Sequence, residues 1–369
     1  MTDPQDSRPP GILKRSWPLM LPIGLALIGG GVVLAWGIAG VLIGDPPIGD
    51  GRNPETYGVD LSDLRIDESA LEAAGRPRDF LLPYDAPDVM PGSEVQAWNA
   101  AHSRKWQKEV VSGDRVVGIE INGQSRAYPL FIVDAHEIVL DEVGGVPIVL
   151  ARSPLLDEVM IFERSIDQTT LDPGVSGLLD DLAQVMHDGE DSASLISAHD
   201  GRVIAGPRAG MRLRPVPGVS LVPWRDWLRA HPETSVVRRE PESMRRYRRI
   251  SYNRYLDGED WIIMPRREPQ DDGSPDARDR VVSVIGDDDQ VLAIFPVGEL
   301  RDAAVDDRVD LEIGAGRLLL QLVSNDRDVM VVEHDGQVIR PGFWIGVWSR
   351  DPEGASRALA AGRSILEDS

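Results

Sequence analysis

The pairs His136-Glu137, His187-Asp188 and His199-Asp200 each set a histidine directly before an acid. An imidazole beside a carboxylate is a common proton carrier near neutral pH, the carboxylate orienting the ring or raising its pKa. On this ground His136 and Glu137 are candidates for catalysis. Adjacent residues on a strand point to opposite faces, so the pair acts together only if it lies in a turn; the competing reading is a buried, hydrogen-bonded structural histidine. His136, His187 and His199 could also supply three imidazoles to zinc or copper. Their spacing matches no short metal signature, so the fold would have to assemble such a site. The expected cofactor is therefore none, with a transition metal as the alternative. His199-Asp200-Gly201 reads as a turn, as Asp-Gly commonly does.

Other chemistries find less support. Cysteine is absent, which excludes disulfides, thiolate metal sites and cysteine-based redox or acyl transfer. Ser153 lacks the Gly-x-Ser-x-Gly setting of a nucleophile elbow. No glycine-rich phosphate loop of either common type occurs. Asp287-Asp288-Asp289 reads as a solvated hairpin tip that could hold calcium weakly.

The elements that must position these residues are mostly strands. Val116, Val117, Ile119 and Ile121 precede Asn122-Gly123, which suits the left-handed angles of a tight hairpin, and residues 126–132 return. Strand-like runs follow at 146–151, 158–164 and 169–175. The spacing predicts short helices over 178–186 and 223–231, the latter with Trp224, Trp227 and Leu228 on one face. A weak internal repeat appears about 165 to 170 residues apart. Asp114-Arg115-Val116-Val117 recurs as Asp279-Arg280-Val281-Val282, and Val159-Met160-Ile161-Phe162-Glu163 as Val329-Met330-Val331-Val332-Glu333. Between the copies, Arg238, Arg239, Arg245, Arg246, Arg248, Arg249 and Arg254 interleave with Tyr247, Tyr252 and Tyr255; in a chain of net charge −22 this run is expected to pair with the protein's own carboxylates. That charge repels phosphate backbones, so nucleic acid is not an expected partner.

From Trp17 to Gly44 there is no charged residue, a stretch longer than the apolar core of a cleavable signal peptide and sufficient to cross a bilayer. Arg8, Lys14 and Arg15 precede it, while residues 45–64 carry only Arg52 among several acids. By the positive-inside rule the amino terminus stays in the cytoplasm and the rest lies on the extracytoplasmic, periplasmic side of a single-pass anchor.

The ordered blocks Asp114 to Gly123, Arg126-Ala127-Tyr128-Pro129-Leu130, His136-Glu137-Ile138-Val139, Asp141 to Pro147, Gly174-Val175-Ser176-Gly177-Leu178-Leu179 and Ile204-Ala205-Gly206-Pro207 resemble the family called domain of unknown function 3179. The resemblance spans roughly residues 110–240 and continues weakly to about 350. It implies a redox or soft-metal pair, Cys-Pro-Leu-Cys-Gly, after the His-Glu block, and a Leu-Trp-Ser-Gln stretch ahead of Ala-Gly-Pro. Here those positions read Ser153-Pro154-Leu155-Leu156-Asp157 and Leu195-Ile196-Ser197-Ala198, so Ser153 and Leu156 stand where the resemblance implies cysteines, Ile196 where it implies tryptophan and Ala198 where it implies glutamine. The scaffold blocks remain and the site residues mostly do not.

The expected fold is α+β, predominantly antiparallel β with two weakly repeated β-rich units and one N-terminal transmembrane helix. The expected division is a cytoplasmic tail at 1–17, a signal anchor at 18–43, a tether and extended covering segment at 44–95 and a family-like β-rich unit at 96–240. An Arg/Tyr-rich connector at 241–275, a second β-rich unit at 276–350 and a C-terminal tail at 351–369 complete it. The expected function is a membrane-anchored extracytoplasmic binding or assembly module without catalysis, meeting a protein partner at the membrane. The alternative is a metal-binding protein or enzyme using His136 with carboxylates in a rebuilt site.

Overall fold

The computed structural model describes residues 47–104, 107–189, 193–258, 260–269, 273–286, 290–325 and 327–369. Residues 48–369 form one compact unit, built of mostly antiparallel sheets with short helices. The apolar stretch 18–43 and the acidic triplet 287–289 lie outside the described residues. Among the described residues no helix is long and apolar enough to cross a membrane.

The hairpin at Asn122-Gly123 forms as its dipeptide requires, with φ of 50° and 78° at the two positions. Strand Arg115–Ile121 pairs with Gln124–Pro129, and Pro129 then starts the helix Leu130–His136. Residues 130–132, expected to continue the strand, are thus helical, because Pro129 supplies a preset φ and no ladder N–H. A second hairpin, Ile138–Val143 with Val146–Ser153, is extended by Glu158–Glu163. Much later, Ser220–Pro223 closes against Arg115–Gly118 and runs into the helix Trp224–Ala230.

The same order of elements occurs again from Arg280: strands Arg280–Ile285 and Val291–Pro296, helix Val297–Ala303, strands Arg308–Ile313, Gly316–Leu322 and Val329–His334, then Val338–Phe343 and the helix Trp344–Trp348. Registers agree as well. Val116 pairs with Pro129 as Val281 pairs with Pro296, and Arg115 with Pro223 as Arg280 with Phe343. Even the helix entries match: Trp224 N–H donates to the Asp114 carbonyl, and Trp344 N–H to that of Asp279.

Each copy buries its own apolar core between two sheets. In the first, Val117, Ile119, Tyr128, Ile148, Leu150 and Ile161 meet; in the second, Val282, Phe295, Leu311, Leu318 and Leu320 do. The first copy has a third layer. Strands Gly174–Asp180, Ala183–His187, Leu195–Ser197 and Val203–Ala205 cover the outer face of the middle sheet through Val149, Met160, Phe162, Val175, Met186 and Ile196. That middle sheet is apolar on both faces, which is why residues 148–151 form an unbroken apolar run rather than an alternating one.

Residues 178–186, expected as a helix, are instead the two sides of a hairpin. Asp180 pairs with Ala183, and Asp181 and Leu182 take positive φ in the turn. The leucines at helical spacing are buried because both faces of this sheet are covered, so burial, not helical amphipathicity, set the pattern. The segment before residue 95 adds edge strands to three sheets: Leu71–Ala73, Tyr84–Asp85 and Val89–Pro91. The last residues, expected as a tail, form the helix Pro352–Asp368, packed on strand Val291–Pro296. Its N-cap Asp351 accepts from Gly354 N–H at 2.9 Å.

Candidate functional site

His136 is the last residue of the helix Leu130–His136, and Glu137 caps it in the left-handed conformation, φ 59°. This turn sends the two side chains apart. His136 is buried and stacks on Tyr84. Its Nδ1–H donates to the Leu82 carbonyl at 2.9 Å, and its Nε2 accepts from the Tyr247 hydroxyl at 3.0 Å. Burial lowers its pKa, with the Leu82 carbonyl and Glu240 opposing and Arg246 assisting. The ring is thus neutral with both nitrogens engaged.

Glu137 points the other way, into a buried polar cluster. Its carboxylate accepts from Tyr252 Oη at 2.8 Å and from Gln184 Nε2 at 3.2 Å. Burial pushes this carboxyl up to about 7, helped by the charge of Asp134 and opposed by the Tyr252 hydrogen bond and Arg152. The Oε1 of Gln184 has no hydrogen-bond partner. An amide reversed at Gln184 would accept from a protonated Glu137, which is consistent with the raised pKa. Ser153 Oγ accepts the backbone N–H of Gln184 at 3.0 Å.

Beneath this lies Arg152, 0% exposed. It donates to Asp134 at 3.0 Å and to Asp157 at 2.8 Å. Asp157 is shared: Arg115 reaches it at 3.0 Å, and Arg280 also donates to it. Asp328 in turn accepts from Arg115 at 2.7 Å and Arg280 at 3.2 Å. The arginines that open the first strand of each copy therefore meet the acids that stand directly before each copy's fifth strand, Asp157 and Asp328. Burial works against the Asp157 charge, but Arg115, Arg152 and Arg280 outweigh it and hold the carboxyl well below the usual range. The repeated Asp-Arg-Val-Val motif was the sequence signal for this ring; its partners Asp157 and Asp328 carried none.

The positions where the resemblance implies cysteines are filled differently. Ser153 is spent on Gln184. Leu156 is fully buried with Leu155, Leu179, Phe343 and Ile345, and lies so close to Gly346 that a Cβ there would meet its Cδ1 at 3.1 Å. Ile196 and Ala198 are core residues. Over the whole region lies the connector, through its tyrosines: Tyr247 on His136, Tyr252 on Glu137, and Tyr255, whose hydroxyl donates to the Leu155 carbonyl at 2.9 Å. The sequence shows these tyrosines only as spacers in an arginine run.

Among the described residues, the arginines of that run meet the expected carboxylate pairing only at Arg238. Arg238 pairs with Glu109 at 3.4 Å and lies over Trp98, and Arg239 lies over Phe131. Arg245, Arg248, Arg249 and Arg254 are exposed and make no ion pair among the described residues. Exposed guanidiniums are hydrated at little cost, so nothing compels them to find carboxylates.

The three candidate histidines stay apart. His187 Nε2 meets Asp79 at 2.7 Å, with Arg78 at its Nδ1; His199 Nδ1 meets Glu158 at 2.9 Å, in the turn expected at His199-Asp200-Gly201. Among the described residues no group of three or more His, Asp or Glu stands as a metal-holding set.

The remaining family blocks have structural work. Arg126 and the Tyr128 hydroxyl both donate to Asp141, at 2.7 and 2.8 Å, tying two sheets together. Gly118 leaves room for the Trp227 ring, which a Cβ would meet at 2.3 Å. Gly177, at φ 79°, lets residues 76–77 cross its strand. The sequence model of a family described as "Protein of unknown function (DUF3179)" matches residues 94–366. No curated protein and no solved structure matches the chain.

Proposed function

The chain belongs to the DUF3179 family, and from that membership and the filled site we propose that it is a non-catalytic binding or assembly module. In this reading the apolar segment 18–43 holds the folded unit at the extracytoplasmic face of a membrane, where it meets a protein partner. The observation that carries the reading is the seating of Tyr252 on Glu137 and Tyr247 on His136. Every polar group of the His-Glu block already has a partner from the chain itself, and serine and leucine stand where the family resemblance implies sulfur. A reactive centre needs a free nucleophile or base facing a substrate. This one faces its own connector.

The alternative, His136 working with carboxylates in a rebuilt metal or acid-base site, has the raised pKa of Glu137 in its favour. The divergence of the two side chains speaks against it. The test is elemental analysis of the full chain purified in detergent, beside His136→Ala and Glu137→Gln. No stoichiometric transition metal is expected in any of the three. Stoichiometric zinc, copper or iron that both variants lose would overturn the reading. Reporters active on only one side of the membrane, fused after residue 60, test the anchor; activity of a cytoplasm-only reporter would reverse the proposed topology.

A further inference from the structure

Apart from the His136-Glu137 cluster, a cavity of about 780 Å³ is walled by Arg202, Arg212, Arg340, Arg350 and Arg357 together with His199, Asp200 and Asp351. It lies between the turn that joins Leu195–Ser197 to Val203–Ala205 in the first copy and the strand Val338–Phe343 of the second. In a chain of net charge −22, five guanidiniums against two acids around one cavity are a local inversion of sign.

Arg340 is the decisive group. It is 4% exposed, its Nη1 donates to the His199 carbonyl at 2.9 Å, and its Nε has no hydrogen-bond partner. The carboxylate beside it, Glu158, stands 3.9 Å away, beyond hydrogen-bond reach, and is engaged by His199 Nδ1 at 2.9 Å. Burial pushes Glu158 up to about 7, so its countercharge is incomplete near neutrality. The other acids are already held: Asp351 accepts from Gly354 N–H at 2.9 Å as the cap of the last helix. Asp200 accepts from the Arg202 side chain at 2.6 Å and its backbone N–H at 3.0 Å. Asp180, behind the wall, accepts from Ser197 Oγ at 2.9 Å and pairs with Arg350 at 3.4 Å. A buried guanidinium without a matched anion is costly, and the usual resolution is an anion that completes it.

We propose that this cavity binds a small dianion, a ligand presenting two or more anionic oxygens as a phosphate group or a dicarboxylate does. Arginine forks match such oxygens in pairs and hold them more tightly than neutral donors do. His199 also lines the cavity, its ring oriented by Glu158 at Nδ1. The site shares no residue with the His136-Glu137 cluster, so it stands whatever that cluster does.

Isothermal titration of the full chain in detergent with inorganic phosphate, pyrophosphate, succinate and citrate tests this. Saturable binding of at least one probe is expected, with Kd below about 1 mM. Preference for the phosphates assigns a phosphate group, and the reverse order a dicarboxylate. Arg202→Gln or Arg212→Gln should weaken the bound probe by about tenfold; the Arg202 side chain is 61% exposed, so its replacement leaves the core intact even if Arg340→Gln does not fold. Arg245→Gln combined with Arg248→Gln, on the exposed connector, should leave the affinity unchanged. Failure of all four probes to saturate by about 10 mM overturns the proposal. So does binding that neither cavity variant weakens, or that the connector variant weakens equally.

Discussion

Replacing Glu137 by Gln should stabilise the protein, and more so as the pH rises. The carboxyl is 7% exposed, and burial lifts its pKa from 4.5 to about 7 in the folded chain. A carboxyl whose folded pKa lies above its unfolded one binds a proton on folding between those two values. Its contribution is most favourable below pH 4.5 and is lost as the pH climbs through 7. A rise of that size corresponds to roughly 3 kcal/mol, the gap expected once both states are ionised. Glutamine cannot ionise, and it keeps the geometry: its carbonyl accepts from Tyr252, and its amide can donate to the Gln184 Oε1, which has no partner at present. Urea unfolding of a chain lacking residues 1–44, followed at several values between about pH 5 and 8, reads the difference directly. The variant should exceed the wild type by under about 1 kcal/mol near pH 5 and by up to roughly 3 kcal/mol near pH 8. Glu158, also raised to about 7, affects both proteins alike and drops out of the comparison. A gap that stays constant with pH, or a variant less stable at pH 8, would refute the reasoning.

Asp157→Asn removes the acid that three arginines share; breaking a buried charge set of this kind costs about 3–5 kcal/mol, read as a lower urea midpoint. Because the folded pKa of Asp157 is depressed, its contribution is present above the ordinary carboxylate range and fades only in strong acid, so the gap should persist across neutral pH. Asp328→Asn, which has Arg115 and Arg280 but not Arg152 as partners, should cost less; equal losses would show that Arg152 adds nothing. His136→Ala strands the Leu82 carbonyl and the Tyr247 hydroxyl and should cost about 1–3 kcal/mol, and an unchanged midpoint would contradict a structural histidine.

The Asn122-Gly123 hairpin and the helix at Trp224–Ala230 are legible because a turn dipeptide and an amphipathic face are local properties. Residues 178–186 misled for the same reason. Spacing alone cannot distinguish a helix with one buried face from a strand pair with two covered ones, and the third layer that covers them is assembled from residues far along the chain. Charge alone accounts for Arg238 pairing with Glu109, but not for Arg238 and Arg239 lying over aromatic faces or four others staying in water. The repeated Asp-Arg-Val-Val motif was visible, but not what its arginines do.

By itself the sequence determined which chemistries are closed to this protein, since a chain without cysteine cannot use a thiolate wherever it folds. It determined the turn types, the strand-rich composition and the acidic surface, all of which follow from residue identity over a few positions. Only the tertiary structure decided which groups meet. Arg115 and Asp328 are 213 residues apart and touch because two copies of one sheet order pack together. Tyr252 and Glu137, 115 residues apart, touch because the connector crosses the family-motif site. The pKa of Glu137 follows from that burial, and so does the pairing left incomplete at Arg340. Such energies depend on what surrounds a side chain in three dimensions, and no spacing along the chain encodes them.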